Sequence, residues 1–199
     1  MSYDVGVKLS KMAKTKLYKN YWDIVILPPA DIRDAAISLS RNMARKYGGK
    51  FILGKQRFLP HISLYHIPVR EKDLSEVFRV LREVVNRTKF RELGVKLEKV
   101  PLWNTVWLGV SNPPWLKQLH REVVKAIDEF RDKSFRVERT WNGKFSQFHH
   151  RNIKRYGSPF IESAFHPHIT LTSLKREMAE KEIAEFMKSA QFNPKRFKV

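Results

Sequence analysis

The chain has 199 residues and carries 39 Lys and Arg against 20 Asp and Glu, a formal net charge of +19, with 42% hydrophobic residues and no cysteine. A chain of this length and apolar content buries a core without staples, and without thiols it holds no disulfide framework, zinc ribbon, iron–sulfur cluster or cysteine nucleophile. The charge is the footprint of a polyanion binder and by itself says nothing about chemistry.

Residues 1–19 hold five lysines against one acid, Asp4, and read as a basic arm. That arm lacks the apolar segment of a secretory signal, and the longest apolar stretch, around Ile24 to Ala30, is too short to span a bilayer. The expectation is a soluble cytoplasmic monomer that does not engage a membrane. Trp22 to Leu27 is a short buried strand stopped by Pro28 and Pro29. Asp31 then caps a helix in which Ile32, Ala35, Ala36, Leu39 and Met43 recur at helical spacing, and Gly48-Gly49 ends it. Phe51 to Leu53 and His61 to Val69 are further strand candidates. Leu74, Val77, Phe78, Leu81, Val84 and Val85 give an amphipathic helix. Val95 and Leu97, then Val106, Leu108 and Val110, alternate as half-buried strands do. Asn112-Pro113-Pro114 breaks the chain before a helix built on Leu116, Leu119, Val123, Ile127 and Phe130. Residues 134–160 have no clear period. His168 to Leu171 is a strand, and Lys175 to Ala190 is a last helix. Strands joined sometimes by helices and sometimes directly argue for an α+β fold with antiparallel pairing.

An internal repeat crosses these elements. Phe58-Leu59-Pro60-His61-Ile62-Ser63-Leu64 matches Phe165-His166-Pro167-His168-Ile169-Thr170-Leu171, and each copy is followed by a charged helix start. Chance gives about 0.7 His-x-[Ser/Thr] matches in such a composition, so one copy would be weak. Two copies sharing Phe, Pro, Ile and Leu at fixed offsets are specific. On a strand, residues i and i+2 share a face. His61 and Ser63 therefore point one way and Ile62 and Leu64 the other, and His168 and Thr170 repeat the arrangement. If two similar lobes pack about a pseudo-two-fold axis, two imidazoles and two hydroxyls converge in one cleft. That set suits phosphodiester chemistry. A neutral imidazole takes a proton from attacking water, and a protonated one gives a proton to the leaving oxygen. The hydroxyls donate hydrogen bonds to non-bridging phosphate oxygens, and no metal or cofactor is required. The bland alternative is a pair of core histidines made alike by duplication.

At these residues the sequence resembles the two-histidine (2H) phosphoesterase superfamily, the LigT-like group of 2′-5′ RNA ligases and cyclic phosphodiesterases. The resemblance rests on His61-Ile62-Ser63 and His168-Ile169-Thr170 and covers roughly residues 20–190. It implies a bilobal α+β fold, with two antiparallel sheets lining a central cleft and helices outside. After the arm, residues 20–199 would form one such domain, with repeats at about 50–100 and 101–190 and an insertion at 134–160. It also implies metal-independent hydrolysis of RNA 2′,3′-cyclic phosphate ends. His61 and His168 would be the acid/base pair, with Ser63 and Thr170 as phosphate clamps. The alternatives within reach are a 2′-5′ ligase or phosphodiesterase, or a non-catalytic RNA- or nucleotide-binding protein that kept the cleft. The strong basic field should depress both imidazole pKa values.

The chain departs from the family in three ways. Thr172 and Ser173 follow the second motif where a basic residue often stands, so Lys175 or Arg176 would have to serve. The two histidines are 107 residues apart, which fits the insertion. Only Phe197 to Val199 follows the last helix as strand material, so part of one sheet is either missing or rebuilt by the N-terminal arm.

Other candidates carry two readings each. Residues 134–160 hold six basic residues and one acid, interleaved with aromatics. Trp141, Lys144 and Arg151 there would engage RNA beside the cleft, or the aromatics simply pack under an ordinary insertion. Lys55 and Arg57 reach phosphate or are solvated charges. Tyr65, His66 and Trp107 line the cleft and stack a base, or belong to the core. His149-His150 with His166 lacks the carboxylate or thiol partners of a metal site. The segment from Gly49 to Lys55 imitates a P-loop, but Gln56 stands where Ser or Thr would bind magnesium.

Overall fold

Two proline pairs punctuate the chain at equivalent places: Pro28-Pro29 separates a strand from a helix, and Pro113-Pro114 does the same. Pro29 and Pro113 are the N-caps of their helices, with φ of −60° and −68°. A ring that fixes φ and lacks an N–H costs nothing where the helix has no acceptor to offer. The computed structural model describes residues 7–11, 21–99, 104–135, 145–175, 180–189 and 195–199. In chain order these give β1 (Val7–Lys11), β2 (Tyr21–Ile26), α1 (Ala30–Tyr47), β3 (Ile62–Pro68), α2 (Leu74–Arg87), β4 (Glu92–Lys99), β5 (Thr105–Val110), α3 (Pro114–Ile127), α4 (Gln147–Tyr156), β6 (His168–Ser173), α5 (Glu180–Ser189) and β7 (Lys195–Lys198). The order β2–α1–β3–α2 recurs as β5–α3–β6–α5, with α4 inserted between α3 and β6, so the repeat extends well beyond the seven-residue motif.

The fold is α+β with two antiparallel sheets. One sheet has the order β1-β2-β3 and the other β6-β5-β4-β7. The motif strands β3 and β6 are edge strands, and they meet each other. Each helix that follows a proline pair crosses to the opposite sheet: α1 packs on β6, and α3 packs on β3. One continuous core results. Ile24, Ile62, Leu64 and Ile67 from the first sheet join Leu93, Leu108, Ile169 and Leu171 from the second, sealed by Ile32, Met43, Leu116 and Val123 of the helices. Each such side chain stabilises the fold by about 1.5–3 kcal/mol on burial.

Three parts of the sequence reading change. Asp31 does not cap α1: Pro29 is the N-cap and Asp31 lies in the first turn, where a carboxylate suits the helix dipole. Part of the basic arm is sheet: β1 pairs with β2 from Val7↔Ile26 to Lys11↔Trp22, so the arm does rebuild a sheet edge. Phe51 to Leu53 is not a strand. The chain touches the β6 edge only briefly there, through the Gly49↔Leu174 bridge and the Lys50 N–H on the Ser173 carbonyl, and then turns away with Ile52 exposed. Gly48 closes α1 at φ 79°, and a Cβ on Gly49 would fall 2.6 Å from Thr172 Oγ1, so the turn admits only glycine at this close approach. No helix among the described residues is long and apolar enough to cross a membrane.

The segment 134–160 contains α4, started by Ser146, whose hydroxyl accepts from the His149 N–H. Its Ile153 packs with Tyr21, Phe135 and Phe145, and Tyr21 donates to the Gly157 carbonyl at 3.0 Å. These aromatics pack inward against the end of β2. Trp141 and Lys144 lie outside the described residues.

Candidate active site

A strand that alternates strictly would place Tyr65 beside Ser63 and leave His66 on the opposite face. The register shows otherwise. Val25 pairs with Ser63 and Ile24 with Tyr65, so Leu64 is an extra residue. On the other sheet Trp107 pairs with Thr170 and Val106 with Thr172, so Leu171 is extra. Both motif strands thus carry a bulge at the same place, on the third residue after the histidine. A bulged residue leaves backbone groups outside the ladder, and buried carbonyls require donors. The Leu64 carbonyl takes the Nδ1 proton of His120 on α3 at 2.8 Å, and the Leu171 carbonyl takes the hydroxyl of Ser40 on α1 at 2.6 Å.

Beyond each bulge the faces exchange. His66 joins His61 and Ser63, while Tyr65 turns inward. Tyr65 is buried, and its hydroxyl lies 2.7 Å from both Asp128 Oδ1 and the Tyr156 carbonyl. It belongs to the core, contrary to the expectation that it lines the cleft. Thr172 turns inward likewise, donating to the Phe51 carbonyl at 2.7 Å.

The centre of the site is a residue that sequence reasoning passed over. Asp23 on β2 is buried, and a single oxygen, Oδ2, meets three groups. Ser63 donates its hydroxyl at 2.7 Å, His61 Nε2 lies at 3.2 Å and His66 Nε2 at 3.3 Å. Asp23 Oδ1 is buried without a hydrogen-bond partner among the described residues. Burial favours the protonated acid, but the electrostatic pull of the facing His66 and the hydrogen bonds from both imidazoles outweigh it and hold the carboxyl well below the usual carboxylate range. The signal in the sequence was a lone acid inside the apolar run Tyr21–Ile26, a residue type rarely buried unless paired.

The two motif histidines differ in their surroundings. His61 Nδ1 lies 2.6 Å from the Leu59 carbonyl while its Nε2 faces Asp23, so both nitrogens meet acceptors, an arrangement that favours the doubly protonated, charged ring. Burial works against that charge, but the hydrogen bond and the negative charge of Asp23 prevail and raise its pKa. His168 directs Nδ1 to the His166 carbonyl at 2.7 Å, and its Nε2 makes no hydrogen bond among the described residues. Its ring stacks on Trp107 with centroids 3.6 Å apart. Burial, together with the nearby His166, His66 and His61, pushes its pKa down to about 4. The expected lowering of both imidazoles is met in direction by His168, where burial and neighbouring imidazoles rather than the Lys and Arg field cause it, and fails for His61, because Asp23 supplies a local negative charge the composition did not reveal.

The hydroxyls differ too. Ser63 is engaged by Asp23, whereas Thr170 is half-buried with no hydrogen-bond partner for its hydroxyl among the described residues. Trp107 backs the His168 ring and is itself buried. His66 stacks on Tyr21, and His166 stands exposed beside Trp107. The remaining candidates are not gathered here. Lys55 pairs with Asp34 at 3.1 Å on the surface, and Arg57 lies over the Phe58 ring. Arg151 lies over Phe148 on α4, and Lys175 is exposed, its N–H on the Gly48 carbonyl. Among the described residues no group of three or more His, Asp or Glu has the geometry to hold a metal ion.

The family described as "Protein of unknown function (DUF1045)" matches residues 69–197, a span that includes the second motif and not the first. No curated protein matches the chain. Among solved structures, the crystal structure of the MHV ns2 PDE domain is similar with a TM-score of 0.48 and 13% identity, covering 85% of this chain and 80% of that one. At that identity and score the likeness says nothing about activity.

Proposed function

Because the chain belongs to the DUF1045 family, whose function is unknown, its activity has to be read from its own site, and we propose that it is a metal-independent phosphoesterase acting on RNA 2′,3′-cyclic phosphate ends. The observation that carries this reading is the unequal setting of two imidazoles on meeting sheet edges: His61 with both nitrogens facing acceptors, and His168 with no hydrogen bond to its Nε2 among the described residues. Pairs of titratable groups pushed apart by their environments mark acid and base. His168 Nε2 takes a proton from water as the water oxygen bonds to phosphorus. The His61 Nε2–H turns from Asp23 Oδ2 to the ribose oxygen and gives up its proton there as the P–O bond breaks. Both proton transfers are thereby supplied by the chain. Thr170 donates to a non-bridging oxygen, where charge accumulates in the transition state. A net charge of +19 steers a polyanion toward this cleft and holds the length of chain that precedes the reacting end.

The test is turnover of an oligonucleotide ending in a 2′,3′-cyclic phosphate, in EDTA, beside 2′-5′- and 3′-5′-linked oligomers. The expected result is opening of the cyclic phosphate, lowered about 10²–10⁴-fold by His61→Ala or His168→Ala, the usual size of an acid/base contribution. Activity that survives both substitutions, or that requires a divalent metal, overturns the mechanism. Cleavage or joining of 2′-5′ linkages in place of ring opening overturns the substrate.

A further inference from the structure

The repeat makes the two motif strands near twins, so something outside the motifs must decide which histidine gives the proton. The registers locate it. In the first sheet His66 pairs with Asp23, and in the second the equivalent pair is Ser173 with Thr105. One lobe places a carboxylate and a third imidazole where the other places two hydroxyls. We propose that Asp23 is the positioning residue that assigns His61 the donor role and leaves His168 the acceptor role. This assignment rests on the phosphoesterase reading.

The geometry is specific to charge. Asp23 Oδ2 lies 3.2 Å from His61 Nε2, and His61 Nδ1 is tied to the Leu59 carbonyl, so the ring cannot offer a lone pair without breaking one of these contacts. Ser63, which would otherwise be the twin of Thr170, fixes the carboxylate from the third side at 2.7 Å. Facing Asp23 are His61, just before β3, and Ser63 and His66 on β3, and Ser10 stands opposite it in the register of β1. Where β3 meets β6, the titratable groups on the other side are His168 on β6 and His166 in the segment before it, the former resting on Trp107. No carboxylate contacts His168 among the described residues, which is why its proton is not held.

The experiment follows the imidazole Cε1–H signals by NMR across pH without substrate, together with the pH profile of kcat/KM. In the wild type, His61 titrates above His168. Asp23→Asn keeps the shape and removes the charge. It lowers the His61 midpoint by about 1–3 units, the range expected for an opposite charge at this distance, and the alkaline limb of the rate profile follows it down. Ser63→Ala keeps the carboxylate, so the order of the two midpoints persists. If Asp23→Asn does not fold, the wild type and Ser63→Ala decide: His168 titrating at or above His61 in either overturns the assignment. An unchanged His61 midpoint in folded Asp23→Asn overturns it as well, whatever the turnover. Absence of turnover on the cyclic phosphate with the titrations as expected overturns the substrate reading alone and supports the placement of the proton by Asp23.

Discussion

Replacing Thr170 by valine removes one hydroxyl and keeps the branched shape that β6 accommodates. In the free protein that hydroxyl has no hydrogen-bond partner among the described residues, so its loss leaves no buried group unsatisfied and stability changes little. In the complex it donates to a charged phosphate oxygen, a bond of about 1.5–3 kcal/mol. At about 1.4 kcal/mol per factor of ten, Thr170→Val lowers kcat/KM about 10–150-fold. Ser63 occupies the matching place in the other repeat, but its hydroxyl donates to Asp23 at 2.7 Å. Ser63→Ala removes a bond to a buried carboxylate, so about 1.5–3 kcal/mol is lost from stability and the effect on rate is indirect. The assay pairs kcat/KM on the cyclic-phosphate oligonucleotide with thermal unfolding for both variants. Equal losses of kcat/KM with equal melting temperatures would refute the asymmetry, as would full activity of Thr170→Val.

Three further outcomes are expected. Tyr65→Phe removes a buried hydroxyl held by Asp128 and the Tyr156 carbonyl; it costs about 1.5–3 kcal/mol, about 3–12 °C in Tm, while kcat/KM is unchanged. His120 is fully buried between the Leu64 carbonyl and the Glu162 N–H, and burial pushes its pKa from 6.5 down to about 4. Its folded pKa lies below the unfolded one, so the stability it contributes is complete above about pH 6.5 and is lost as the pH falls toward 4, an acid loss on the order of 3 kcal/mol that denaturant unfolding across pH would measure. Trp107→Leu uncovers the His168 ring; burial is the main cause of its low pKa, so the acidic limb of the rate profile moves to higher pH, and an unmoved limb would contradict the role of the stack.

Much of this protein was legible in its residues. Period-2 and helical patterns located β2, β3, β4, β5, β6 and the helices α1, α2, α3 and α5, though not α4, and the paired prolines and F-x-P-H-I-[Ser/Thr]-L repeats announced a duplicated unit. They also picked out His61, His168 and Thr170. These are local properties, written in spacing and residue type. What the sequence did not disclose depends on partners far along the chain. The bulges that exchange Tyr65 for His66 exist because His120 and Ser40, 56 and 131 residues away, supply donors to the displaced carbonyls. Parity counting along one strand cannot foresee an interruption that its neighbours stabilise. The difference between two identical-looking histidines comes from Asp23, 40 residues from Ser63, acting over about three ångströms. Sequence alone determined that the chain holds two imidazoles on twin strands. Only the tertiary structure decided which of them keeps its proton, because electrostatic energy depends on distance and burial rather than on position in the chain.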